Sequence, residues 1–110
     1  MTAERYELSW KEFDQCTSQS FRNHFNKEDF SDVTLACDDD KQIKSHKMIL
    51  SACSPFFKHI FEQDDQEHPV IWMPGIQLEE MEAILQFMYC GQTTFEQKKT
   101  YQFLRVGKHL

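Results

Sequence analysis

The apolar positions change period along the chain, and each change marks an expected element. Tyr6, Leu8 and Trp10 alternate with polar neighbours and would share one face of a strand. Phe13 to Phe25 reads as a polar, loosely amphipathic helix, with Phe21 and Phe25 four apart on one face. Val33, Leu35 and Cys37 alternate against Thr34 and Ala36, which predicts a strand. Asp38-Asp39-Asp40-Lys41 is its turn, because Asp side chains bond their own backbone. Residues 42–45 are the return strand, completing a hairpin.

The pattern then switches to helical spacing. Met48, Ile49, Ala52, Cys53, Phe56, Phe57, Ile60 and Phe61 form a wide apolar face that Pro55 interrupts. Proline is accepted at the first position of a helix and poorly inside one. Ser54 before it is a good N-cap. The spacing therefore predicts two short helices, roughly 46–52 and 55–62. Val70-Ile71-Trp72-Met73 is a continuous apolar run stopped by Pro74-Gly75, which predicts a strand buried on both faces. Leu78, Met81, Ile84, Leu85, Met88 and Tyr89 predict a helix that Gly91 caps. A brief edge strand is expected at Thr93-Thr94-Phe95. A last helix is expected from Tyr101, Leu104, Val106 and Leu110.

Composition narrows the function. A chain of 110 residues has room for one domain. Its ten phenylalanines exceed what one core of this size needs, which leaves some for an interface. A net charge of −6 argues against a phosphate-binding surface, since duplex affinity rests on Lys and Arg. No direct nucleic-acid binding is expected. No apolar run approaches the ~20 residues that cross a bilayer. The opening residues MTAERYELSW contain no leader-like run. Cys16, Cys37, Cys53 and Cys90 form no CxxC pair and read as reduced thiols.

Catalytic and metal readings are weak. The aspartate turn lacks the alternating ligands and glycine of a calcium loop, so it reads as solvated. His46 has no Cys or His at zinc spacing and reads as a buried, hydrogen-bonded residue. Cys53 falls on the apolar face, where thiols are inert. Asp64-Asp65 and Glu79-Glu80 are adjacent, so each pair diverges and makes a poor acid–base couple. Neither an enzyme nor a cofactor is expected.

Several segments together carry a resemblance: Phe30-Ser31-Asp32-Val33-Thr34-Leu35, Ser45-His46-Lys47, Leu50-Ser51-Ala52-Cys53-Ser54-Pro55-Phe56-Phe57, Phe87-Met88-Tyr89-x-Gly91 and Phe103-Leu104. The chain resembles a BTB/POZ domain, a protein-association module. Its opening YELSWKEF is similar to the tramtrack-type subgroup of insect transcription factors, with Ser9 and Lys11 where that subgroup usually has Arg and Asn. The resemblance implies an α+β fold: short helices flanking a small mixed sheet, with an N-terminal strand and helix that exchange with a partner chain. Its expected divisions are a strand arm at 1–11, a first helix at 12–28 and a core at 29–110.

The same resemblance implies self-association as a homodimer, extending to a hexamer in the subgroup, and association with other BTB proteins and co-regulators. It implies a nuclear transcription regulator whose zinc-finger or similar DNA-binding region lies elsewhere. Asp32 and Lys47 match a charged pocket at the dimer interface. Tyr6, Leu8, Trp10, Phe13, Phe21 and Phe25 are the expected dimer or multimer contacts. The alternative is a substrate adaptor for a cullin-type ubiquitin ligase, which would use Phe57, Phe61 and Glu62.

Overall fold

The computed structural model describes residues 3–95. Its elements run α1 (Phe13–Asn23), β1 (Val33–Cys37), β2 (Gln42–Ser45), α2 (Lys47–Cys53), α3 (Pro55–Gln63), β3 (Val70–Met73) and α4 (Leu78–Cys90). The sheet has the order β2-β1-β3. β1 pairs antiparallel with β2, with Leu35 opposite Ile43, and parallel with β3, with Leu35 opposite Ile71. The parallel pair is what the two intervening helices make possible, since it needs a long crossover.

The core forms where the inner sheet face meets the helices. Val33, Leu35 and Cys37 of β1 pack with Ile49 and Leu50 of α2, Phe57 of α3, and Met81, Ile84 and Leu85 of α4. Burying each such side chain contributes about 1.5–3 kcal/mol before entropy is counted.

Local chemistry sets the joints. Ser54 ends α2 and starts α3: it is extended, its hydroxyl accepts from the Phe57 N–H, and Pro55 follows at the first helical turn. Gly91 closes α4 in the left-handed region at φ 79°, and its N–H donates to the Phe87 carbonyl. The hairpin turn has no glycine, and Asp40 adopts φ 58° in its place, which Asp tolerates better than most residues. That turn is more than solvated. Asp38 Oδ2 accepts from the Gly75 N–H (2.8 Å) and Asp39 Oδ2 from the Leu78 N–H (3.4 Å), so two of its carboxylates pin the start of α4.

Four expectations change. The first helix stops at Asn23, short of residue 28, because the chain tightens into i→i+3 turns: His24 to Phe21, Phe25 to Arg22 and Lys27 to His24. Asn26 then turns left-handed at φ 60°. Residues 6–10 form no strand, since alternation without a partner strand makes no ladder. Thr93-Thr94-Phe95 is likewise not a strand; the Thr93 hydroxyl instead donates to Gln86 Oε1 on α4 (3.0 Å). β3 is an edge strand, not one buried on both faces, with Val70 60% and Trp72 68% exposed. The last helix expected from Tyr101, Leu104, Val106 and Leu110 lies outside the described residues.

Candidate association surface

The arm before α1 carries its apolar residues in the open. Tyr6 is 88% exposed, Leu8 98% and Trp10 60%, and Phe13 at the start of α1 is 53% exposed. Trp10 and Phe13 touch edge to face, with ring centroids 5.4 Å apart. Phe21 and Phe25 have another role in this chain. They pack half-buried on the core, Phe25 against Tyr89 at 5.9 Å, and so dock α1 on α4. Arg22 adds a contact to the Cys90 carbonyl (3.4 Å). Of the six expected contacts, Tyr6, Leu8, Trp10 and Phe13 remain available in the single chain.

His46 is the buried structural histidine expected from the sequence. Its Nε2 lies 2.7 Å from the Asp29 carbonyl, which can only accept, so Nε2 carries the proton. Its backbone N–H donates to the Tyr89 hydroxyl (2.9 Å). That hydroxyl then gives its own proton to Nδ1, 2.8 Å away. The His24 ring lies against the His46 ring at 5.1 Å. One tyrosine thus locks the start of α2, α4 and the end of α1 together. Sequence reasoning counted Tyr89 only as an apolar position; its place opposite Ser45-His46 is a tertiary fact.

Asp32 and Lys47 come together, but not as an ion pair. Asp32 Oδ1 accepts from the Lys47 backbone N–H (2.7 Å), which caps α2. The Lys47 ammonium donates to the carbonyls of Gln66 (2.8 Å) and Glu67 (3.3 Å), tying down the loop between α3 and β3. His68 in the same loop meets the Thr34 hydroxyl at 2.9 Å.

The alternative contact set does not assemble on one surface. Phe57 is wholly buried and stacked on half-buried Phe61 at 5.8 Å, while Glu62 is exposed. A residue enclosed by the core cannot be reached by a partner, which corrects the expectation for Phe57. Val70 and Trp72 were missed as surface residues. Their signal was present: Pro69 and Pro74 bracket the strand, and proline within a sheet favours edges.

Cys37 and Cys53 are poor nucleophiles. Burial, then the carboxylates of Asp39, Asp38, Glu82 and Glu80, push the Cys37 thiol up to about 11. Cys53 is more exposed than its spacing implies, yet its thiol donates to the Met88 carbonyl (3.5 Å) and burial raises its pKa. No group of three or more His, Cys, Asp or Glu residues among the described ones could hold a metal. No described helix is long and apolar enough to cross a membrane.

One consequence is alkaline lability. Burial also pushes the Tyr89 hydroxyl up to about 12. Folded Cys37 and Tyr89 keep protons that the unfolded chain releases near 9.0 and 10.0. Their stabilising contribution is therefore full below those values and lost as pH rises through the folded ones. The urea midpoint is expected to fall from pH 9.0 upward, and a flat midpoint through pH 11 would count against the buried thiol.

The BTB/POZ domain family model matches residues 21–110. The chain belongs to the BTB/POZ family. It is 37% identical over 107 residues to the Longitudinals lacking protein-like of Drosophila melanogaster, covering 97% of this chain and 84% of that protein. Against the alpha isoform of protein tramtrack from the same organism it is 34% identical over 110 residues. It spans only 13% of tramtrack, and 11% of the similar protein abrupt.

Solved structures agree on the fold. The BTB domain of human gigaxonin superposes with a TM-score of 0.75 at 21% identity, covering 99% of this chain and 89% of that one. The BTB domain of zebrafish PATZ1 gives 0.79 at 20%, covering 96% and 86%. The BTB/POZ domain is a protein-interaction fold and not an enzyme.

Proposed function

We propose that this BTB/POZ domain is a homotypic association module of a nuclear transcription regulator. It pairs with a second copy through the arm and α1 and with other BTB proteins through the same surface. The observation that carries the reading is the arm: three alternating apolar residues, Tyr6, Leu8 and Trp10, stand in solvent, and the described residues place no strand beside them. Strand addition to a partner's sheet would cover them and satisfy their backbone together. A two-fold arrangement uses the same patch on both copies and closes there. Asp32 and Lys47, side by side at the start of α2, line the charged pocket of that dimer while each holds its own chain's backbone.

Joining two copies brings together whatever DNA-binding regions they carry. Multivalent binding then exceeds a single site by about 10²–10⁴-fold. The nuclear role is supported by similarity to tramtrack and abrupt. The test is deletion of residues 1–11, followed by light scattering over a dilution series. The full chain is expected to be dimeric at concentrations where the deletion variant is monomeric. An unchanged mass for the variant would remove the arm from the interface.

A further inference from the structure

Among the described residues, nothing pairs with the second side of β3. In its parallel ladder with β1, the Thr34 N–H donates to the Pro69 carbonyl, and Thr34 pairs with Val70. That pattern directs the backbone groups of Ile71 and Met73 toward β1. The N–H and C=O groups of Val70 and Trp72 therefore point away from the sheet, along its free edge. Their side chains stand exposed on the outer face as well.

The edge also lacks the usual protection. Exposed edge strands are commonly blunted by charges or prolines. From His68 to Leu78 this acidic chain has no Asp, Glu, Lys or Arg, and only Pro69 and Pro74 limit the strand. We propose that this edge is a homotypic interface separate from the arm and α1, in which β3 pairs antiparallel with β3 of a second copy. The inference rests on the reading of the chain as a self-associating module.

Self-complementarity selects a second copy as the occupant. With the two-fold axis at Ile71, Val70 lies opposite Trp72 of the second copy, and the reverse. Each copy then supplies two N–H and two C=O groups, and four hydrogen bonds use them all. Val70 meets Trp72 on the same outer face twice, an apolar–aromatic pairing that favours strand association. Prolines at 69 and 74 end the ladder where the orphan groups end. Two copies that each carry a net charge of −6 can approach here because the meeting strands are uncharged. α1 docks on α4 and β3 on β1, so one dimer can offer both surfaces.

The test is sedimentation of the 110-residue chain across a dilution series, with Val70→Lys and Trp72→Lys variants. The chain is expected to form a species larger than a dimer. Each variant should raise the dissociation constant of that species about tenfold or more, while the dimer and the melting temperature hold. Hydrogen exchange supplies the second readout. The Val70 and Trp72 amides should be protected in the larger species and open in the dimer, whereas those of Ile71 and Met73 stay protected in both. A larger species indifferent to both lysines overturns the inference, as does its absence at every concentration. Protection of Val70 and Trp72 in the isolated dimer would place another segment, such as the arm, on the edge and overturn it too. A chain lacking residues 1–11 that still pairs through β3 would retain this inference whatever becomes of the arm, whereas a dimer that survives both that deletion and the two lysines would remove the arm reading alone.

Discussion

Replacing Phe57 by alanine is expected to destabilise the domain by about 3–5 kcal/mol, while Phe56→Ala is expected to change stability by about 1 kcal/mol or less. The two residues are sequence neighbours, and both lie on the apolar stripe read from the sequence. The structure separates them. Phe57 has no exposed surface, stacks on Phe61 with an interplanar angle of 16°, and meets Phe56 edge-on at 5.3 Å. Its backbone N–H also holds the Ser54 hydroxyl that starts α3. Phe56 is 41% exposed. A cavity at 57 would open beneath α2, α3 and β1, where the surrounding side chains already touch and can collapse only in part. Total stability of a domain this size is about 5–15 kcal/mol, so the larger loss approaches unfolding. Urea midpoints for both variants provide the measurement. Equal losses, or a greater loss for Phe56→Ala, would mean that α3 presents the opposite face to the core.

The same stripe marks how far the sequence could be read. Helix spacing and the Ser54-Pro55 signal placed α2 and α3 within a residue or two, because caps and proline act locally. Gly91 did the same for α4. The end of α1 was not legible, since Phe25 continues the four-residue spacing beyond Asn23 and nothing marks Asn26 as left-handed. The sheet was legible as strands but not as an order. An all-apolar run such as residues 70–73 has no alternation to say which face is covered, so its place at the edge, seen once β1 lies between β2 and β3, was signalled in the sequence only by the flanking Pro69 and Pro74. The arm is the converse case. Its alternation is clear, but a ladder needs a second strand, and the described residues of one chain supply none there.

The site was least legible where side chains meet backbone. Matching Asp32 and Lys47 to a charged pocket by residue type does not say which groups each of them bonds. The structure uses the carboxylate on the N–H of Lys47 and the ammonium on two carbonyls nineteen and twenty residues on. A lysine and an aspartate can thus be neighbours while each interacts with a different part of the fold. Tyr89 makes the same point: its ring obeys the helical period, but its hydroxyl decides how His46 is held.

Asp32→Ala is expected to cost about 1.5–3 kcal/mol, because a partly buried, charge-assisted hydrogen bond to the first N–H of α2 is lost. His46, the residue that precedes α2, provides no side-chain cap of its own, so nothing replaces Asp32. A carboxylate at a helix start also meets the positive end of the helix dipole. Asp32→Asn keeps an acceptor there and should lose only about 1 kcal/mol. Lys47→Gln leaves the backbone N–H in place and should cost about 1 kcal/mol through the loosened loop at residues 66–67. These two effects act on separate contacts, so in the Asp32→Asn, Lys47→Gln cycle they should add, with a coupling below about 0.5 kcal/mol. An ion pair would instead make the double variant little worse than the poorer single one. The measurement is four urea curves fitted with a common slope, at a concentration where assembly does not change. A coupling well above that bound would restore the direct charge pair, and the cap would no longer account for Asp32.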